Sequence, residues 1–450
     1  VVSTSRRSPA FVRIAAVALV AALAGACATT PQGPAAERAR LAQPACPVVH
    51  LPVSTKFTAT PYPSGLPERG QWRDGFDLAD MNGDGMPDLV HGPPRKGKPV
   101  PAIFLGDGRG NFTWWEKAHF PPLPFDYGDA KTGDFNGDGR TDIALSSHLR
   151  GLVTLIAEPG GVYAPWGEGL VLDIPERHVE APLFASRNIA VVDWDGDGKP
   201  DLVALNEGPT RYATGLPAQA LGLWLNRYGH WDRAQPDNPL QSFGDSLAIG
   251  DIDGDGHPDA LIGTQVAGSR LVLQIGDAKG FHSRELRSLP LDAAVTAVAL
   301  RDVDGDGRAE ALAATRAVDA GRFCLSLQAV TFDEKANESA LALWSDTGRD
   351  PIAAIATGDI DRDGHIDVVA VRQGGQMLFF AGRKRGWSRD LVVAPSDALA
   401  DCAAYDAKLA DLDGDGTPEL IVSYAGDDIG TGTNRCNSGG GFRTFRLSAQ

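Results

Sequence analysis

Ser246-Leu247-Ala248-Ile249-Gly250-Asp251-Ile252-Asp253-Gly254-Asp255-Gly256-His257-Pro258-Asp259-Ala260-Leu261-Ile262-Gly263 sets two short apolar runs around a turn in which aspartate alternates with other residues. Apolar runs of this length bounded by turn signals read as buried strands, so the acidic stretch joins the arms of a hairpin. The pattern Asp-x-Asp/Asn-x-Asp-Gly-x-x-Asp/Glu begins seven times, at Asp80, Asp134, Asp193, Asp251, Asp302, Asp359 and Asp411. Successive starts lie 51 to 59 residues apart, which marks an internally repeated architecture.

Working outward, each turn keeps the same neighbours. Ile189-Ala190-Val191-Val192 and Ile352-Ala353-Ala354-Ile355-Ala356 precede their turns, while Asp142-Ile143-Ala144-Leu145 and Asp367-Val368-Val369-Ala370-Val371 follow theirs. The leading runs are rich in Ala and Gly, as expected where strands crowd a narrow axis. About 30 residues after most starts comes a further strand, a Gly-rich turn and an aromatic, as in Ile103-Phe104-Leu105-Gly106-Asp107-Gly108-Arg109-Gly110-Asn111-Phe112 and in Leu223-Trp224-Leu225 leading to Gly229-His230-Trp231. Four strands per repeat and seven repeats predict an all-β chain folded as a seven-bladed β-propeller of four-stranded antiparallel blades, with the acidic loop in the first hairpin of each blade. The fifth repeat is the least regular, because nothing around Phe332 reproduces the Gly-rich turn. The last repeat runs out after a third strand, Phe442 to Leu447, so Val48 to Phe57 is expected to supply its outer strand and close the ring.

Carboxylates at positions 1, 3 and 5 of a nine-residue turn repel one another, and each raises its neighbours' pKa. A hard dication accepting six to eight oxygens removes that conflict, and an all-oxygen, flexible loop suits calcium better than magnesium or zinc. Position 6 is Gly in every copy (Gly85, Gly139, Gly198, Gly256, Gly307, Gly364 and Gly416), which permits the sharp turn of the loop. Position 7 varies freely, which suits a ligand offered by the backbone carbonyl. An EF-hand needs an acid at position 12 and a following helix. Here position 12 is His91, Leu145, Ala204, Ile262, Ala313, Ala370 or Val422, the closing acid sits at position 9, and a strand follows.

A nine-residue acidic loop inside a hairpin, repeated around a propeller, resembles the FG-GAP or VCBS-type repeat, and is similar to the calcium-bearing blades of integrin α-subunit heads and of many bacterial exported proteins. The resemblance spans about residues 46–450 and implies up to seven Ca²⁺ ions, held at positions 1, 3, 5, 7 and 9. In this sequence those are Asp80, Asn82, Asp84, Met86 and Asp88; Asp134, Asn136, Asp138, Arg140 and Asp142; Asp193, Asp195, Asp197, Lys199 and Asp201. They continue with Asp251, Asp253, Asp255, His257 and Asp259; Asp302, Asp304, Asp306, Arg308 and Glu310; Asp359, Asp361, Asp363, His365 and Asp367; Asp411, Asp413, Asp415, Thr417 and Glu419. The two loops with Asn at position 3 are expected to bind more weakly, and Arg362 replaces the Gly usual at position 4.

The ends and the charge add context. Arg6, Arg7 and Arg13 flank an apolar run from Ile14 to Ala24, so residues 1–26 read as an export signal. Leu23-Ala24-Gly25-Ala26-Cys27 resembles a bacterial lipobox, which implies lipid on Cys27 and a place in the periplasm, the outer membrane or the cell surface; cleavage without lipid is the alternative. Residues 27–45, rich in Ala, Pro, Gln and Arg, read as a tether to the propeller at 46–450. The formal charge of −16 disfavours nucleic acid as a partner, leaves membrane contact to a lipid anchor, and suits cations. Of Cys46, Cys324, Cys402 and Cys436, the pair Cys402 and Cys436 flanks one repeat and is the foremost disulfide candidate among three possible pairings.

These features favour an exported, calcium-stabilised, monomeric binding or scaffold module for a protein or glycan. The alternative is a carbohydrate-active enzyme, polysaccharide lyase-like, on the same scaffold, for which His148, Arg150, Arg187, Arg211 and Tyr212 could supply the groups. Trp114, Trp115, Trp166, Trp224, Trp231 and Trp387 are expected to pack between blades, and the insertions 91–100 and 206–220 to offer contact loops.

Overall fold

Short apolar runs separated by Gly- and Asp-rich turns give the described residues 28 strands, arranged in a computed structural model as seven four-stranded antiparallel sheets. The structure describes residues 46–450 outside 53–55, 173–185, 207–220, 235–245, 264–270, 390–401, 426–439 and scattered positions at 149, 171, 278–279, 290–292, 320–321, 334–336, 384–385 and 450. Among the described residues there is no helix. The strands succeed one another within each blade: β2–β5 form blade one (Phe76–Ala79, Asp88–His91, Ala102–Gly106, Phe112–Trp114) and β6–β9 blade two (Ala130–Gly133, Asp142–Ser147, Gly151–Glu158, Val162–Trp166). Blade three is β10–β13, from Ser186–Val192 through Asp201–Asn206 and Leu221–Asn226 to Trp231–Ala234; blade four is β14–β17, from Ser246–Gly250 through Asp259–Gly263 and Val272–Asp277 to Gly280–Glu285. Blade five is β18–β21 (Ala293–Arg301, Glu310–Asp319, Arg322–Phe332, Glu338–Asp346) and blade six β22–β25 (Ile352–Gly358, Asp367–Arg372, Met377–Arg383, Gly386–Arg389).

Apolar side chains from facing sheets form the core. Leu205, Leu221 and Leu223 of blade three meet Ala260, Ile262 and Phe281 of blade four. Small inner-strand residues allow that approach: a Cβ placed on Gly250 would lie 2.9 Å from the Cβ of Leu300 in the next blade. Trp224, Trp231 and Trp387 are buried between blades, as their spacing suggests, and Trp166 meets Trp231 edge-on. Trp114 is more exposed and sits edge-on to Phe104. The irregular fifth repeat still has its third-to-fourth-strand turn, clasped without glycine: Asn337 donates from its backbone N and Nδ2 to the Asp333 carboxylate, as Asn111 does to Asp107 in blade one.

Blade seven closes the ring with strands from both ends of the described chain. Its order is β26 (Ala403–Ala410), β27 (Glu419–Ala425), β28 (Gly440–Ala449) and then β1 (Phe57–Tyr62), with Phe57 opposite Ala449 and Tyr62 opposite Thr444. The closing strand is therefore Phe57–Tyr62 and not Val48–Phe57. The earlier residues are engaged elsewhere: Cys46 is disulfide-bonded to Cys324 on β20 of blade five, the Pro47 carbonyl accepts from Ser345 Oγ, and Leu51 packs on a core cluster of blades five and six. Cys402 is also disulfide-bonded, and Cys436, the partner expected for it, lies outside the described residues. So do residues 1–26, the tether 27–45 with Cys27, and Arg211 and Tyr212.

Candidate metal centre

Each acidic loop leaves the C-terminal end of an inner strand, so all seven lie on one face of the ring. The loops fold on their own carboxylates. In every copy the position-6 glycine donates its N–H to Oδ2 of position 1 at 2.7–3.0 Å, with φ between 81° and 88°. That is left-handed backbone, which a Cβ penalises. The N–H of position 7 donates to Oδ1 of position 5 at 2.6–3.1 Å in all seven. Arg362, the departure at position 4, takes the same left-handed conformation as the glycines it replaces, at φ 60°. Its guanidinium reaches forward to the Asp415 carbonyl at 2.8 Å and to Thr417 Oγ1, joining loops six and seven. Thr141 Oγ1 similarly donates to the Asp80 carbonyl, joining loops two and one.

Position 9 is the buried anchor of each loop, between 0% and 4% exposed. One carboxylate oxygen accepts the position-2 N–H at 2.7–2.9 Å in every copy. For the five aspartates the other accepts a backbone N–H from the third strand, at Gly106, Ala157, Asn226, Gly276 and Gly382. Burial pushes these acids up, to about 6 for Asp88, Asp142 and Asp201 and about 7 for Asp259, Glu310 and Asp367; the backbone N–H groups pull the other way, while nearby loop carboxylates add to the rise. The residue at position 2 completes the anchor: Met81, Phe135, Trp194, Ile252, Val303, Ile360 and Leu412 are all buried beneath their loops. Sequence reading passed over this position, although an apolar residue at the same place in all seven copies was the signal.

The loops differ in what faces their carboxylates. Three acids bring oxygens within 4.8 Å of one another in five loops: Asp193, Asp195 and Asp197; Asp251, Asp253 and Asp255; Asp302, Asp304 and Asp306; Asp359, Asp361 and Asp367; Asp411, Asp413 and Glu419. In the first two loops the position-3 amide takes up part of the charge: Asn82 Nδ2 donates to Asp84 Oδ2 at 2.9 Å, and Asn136 Nδ2 to Asp138 Oδ2 at 2.8 Å. Arg140 also pairs with Asp138. In loop three, Arg227 reaches Asp195 at 2.6 Å and Asp197 at 2.8 Å, with Lys199 also on Asp197. In loop six, Arg383 reaches Asp361 at 3.0 Å and Asp363 at 2.7 Å. In loop seven, Arg446 stands 3.6 Å from Asp413 and Arg362 3.3 Å from Asp415.

Among the described residues, no lysine or arginine forms an ion pair with the triads of loops four and five. There burial and the neighbouring carboxylates raise the pKa of Asp253 and Asp304. In loop three Asp197 is held below the ordinary range, burial being outweighed by hydrogen bonds to Lys199 and the charges of Lys199 and Arg227. Arg227 and Arg383 follow Asn226 and Gly382, the residues bonded to position 9; the corresponding residues in blades one, two and four are Asp107, Glu158 and Asp277. That exchange of sign was visible in the repeat alignment, but it gains meaning only once the third strand is known to end beside the loop.

Of the residues named for catalysis, Arg211, Tyr212 and the Arg187 side chain lie outside the described structure. His148 stacks on Tyr127 at 4.5 Å, and His91 is buried among Trp72 and Phe442, where burial lowers its pKa to about 4.

Seven sheets around an axis, each carrying an acidic turn in its first hairpin, define a repeat propeller built for oxygen-rich loops. A family model for FG-GAP-like repeats matches residues 80–145, 193–262, 251–313 and 359–422, more than half of the sequence, and the chain belongs to that family. Among solved structures, BBS1N in complex with ARL6DN, soaked with mercury, is similar at a TM-score of 0.50 and 9% identity over 89% of this chain and 98% of that one. The N-terminal domain of Nup159 gives 0.49 and 11% over 90% and 100%. At these identities the likeness is one of fold.

Proposed function

We propose that the chain is a calcium-stabilised scaffold whose ring presents a binding surface to a protein or glycan outside the cytoplasm. The observation that carries this is the convergence of three acids in five successive loops, an all-oxygen donor set that suits calcium. Calcium would be held by the position-1 and position-3 carboxylates, joined by position 5 in loops three to five and by position 9 in loops six and seven. Bound there, the ion supplies positive charge, which no described lysine or arginine brings by an ion pair to the triads of loops four and five. With free calcium about tenfold above Kd, each site would add about 1.4 kcal/mol, so that several together rival the net stability of a domain, about 5–15 kcal/mol. Disulfide bonding at Cys46, Cys324 and Cys402 supports an oxidising compartment and hence export. Lipid attachment at Cys27 would hold the ring at a membrane surface.

Scanning calorimetry of the full chain with calcium and with chelator tests the staple, and calcium is expected to raise the melting temperature by many degrees. An equal melting temperature in both would overturn it.

A further inference from the structure

The face opposite the acidic loops opens into a cavity of about 630 Å³ at the N-terminal ends of the inner strands. That volume lies within the roughly 300–1,000 Å³ range of small-ligand sites. Its wall has two distinct arcs. The arc from blades seven, one and two carries Arg73, Asp129, Lys131, Tyr405, Asp406 and Lys408. The arc from blades three to six is built mainly of small and aliphatic residues such as Ala190, Val298, Ala353 and Ile355, with Arg316 and Gln373 among them.

The charged arc is a fixed construction. Lys131 Nζ lies 2.5 Å from Asp129 Oδ1, while Asp129 Oδ2 accepts the Ile189 N–H of blade three at 3.2 Å. Gly75 of blade one lies so close to this carboxylate that a Cβ there would sit 1.9 Å from Asp129 Oδ1. Asp406 accepts the Phe76 N–H of blade one at 3.2 Å, and Asp77 accepts the N–H and hydroxyl of Thr132 in blade two. Lys408 stands 3.8 Å from Asp77. The carboxylates thus buckle blades seven, one, two and three together, and the lysines offset them.

Alternating acids and bases leave this arc nearly balanced, in a chain whose formal charge is −16. An anionic ligand would meet the buried carboxylates, a cationic one the ammonium groups, and a wholly apolar one would strip water from both without replacing its hydrogen bonds. A hydroxyl can donate to a carboxylate while accepting from an ammonium, so adjacent Asp and Lys groups match neighbouring hydroxyls on one molecule. The opposite arc offers aliphatic contact to a C–H face. We propose that the cavity binds a neutral pyranose, as a free sugar or the end of a glycan, with its hydroxyl edge toward Lys131, Asp406 and Lys408 and its C–H face toward Ala353 and Ile355. This deepens the binding-module reading and rests on it.

Saturation-transfer NMR on the full calcium-loaded chain tests the assignment, using methyl glycosides of glucose, galactose, mannose and N-acetylglucosamine, with glucuronate and glucosamine as charged controls. At least one neutral glycoside is expected to receive saturation, strongest at its C–H face, with weaker transfer to both charged sugars. Ala353→Trp, which fills the cavity from the mainly aliphatic arc, should cut the transfer at least tenfold while leaving the calcium-dependent melting shift in place. Should that variant fail to fold, Lys408→Met replaces it, with the same loss expected. Transfer to none of the neutral probes, a preference for a charged sugar, or transfer undiminished in a folded cavity variant would overturn the assignment. Because the melting shift is read on the same samples, failure of the cavity and failure of the calcium scaffold are told apart.

Discussion

Loops three and four carry the same aspartate triad and the same backbone fold, yet their surroundings are opposite. Arg227 lies across Asp195 and Asp197 in loop three, whereas the third strand of blade four puts Asp277 at the corresponding place and no described base pairs with Asp251, Asp253 or Asp255. Loop six, with Arg383, follows loop three; loop five, without a basic partner, follows loop four. The repeat motif therefore sets the geometry of a site, while a residue on the next hairpin decides how much of the carboxylate charge is left for an ion. Ionic pairs at the surface are individually modest, about 0–1 kcal/mol, but a resident guanidinium also occupies the space and the oxygens that calcium would use.

The largest expected effect separates the loops by pH and calcium together. An acid whose folded-state pKa lies above its unfolded value favours the fold at low pH and loses that contribution as pH rises through the folded value. Position 9 rises to about 6–7 across six loops, so the calcium-free protein is expected to lose stability from about pH 4 to pH 7, and calcium to restore it most strongly above pH 7. Melting curves across that range with calcium and with chelator check the sign. Hydrogen exchange in chelator should show the first loss of protection in loops four and five; equal loss in loops three and six would break the comparison.

Exchanging the partner residue sharpens it next. Arg227→Asp should raise calcium affinity at loop three several-fold and lower the melting temperature in chelator, and Asp277→Arg should weaken loop four by a similar factor, about 1 kcal/mol each. Site-resolved calcium titration by NMR reads both. A backbone change comes after: Gly256→Ala, at φ 86° with open space for the Cβ, should cost about 1–2 kcal/mol in denaturant unfolding. The smallest effect belongs to Arg362→Gly, which relieves left-handed strain but removes the bridge to loop seven, so the two should leave unfolding within about 1 kcal/mol of the parent.

The ring, its seven blades and the strand order within each were legible because the acidic turn recurs every 51 to 59 residues and its flanks are short apolar runs bounded by turn signals. The position-6 glycines were legible for the same reason. What escaped depended on contacts between residues far apart in the chain. The closing strand is Phe57–Tyr62 while Cys46 is tied to Cys324, 278 residues away, and local pattern cannot report such pairings. The reach of Arg227 into loop three and the buckling of blades by Asp77, Asp129 and Asp406 are likewise products of the closed ring, where neighbouring repeats supply each other's partners.

The link from Cys46 to a central strand of blade five has a mechanical consequence. Tension arriving through the chain ahead of Cys46 passes across the sulfur bridge into β20, which is hydrogen-bonded on both sides, and bypasses the span leading to β1. The seam between β1 and β28, which would otherwise peel open one rung at a time under such a pull, is shielded from it. Reduction of that single bond would move the strain onto the seam.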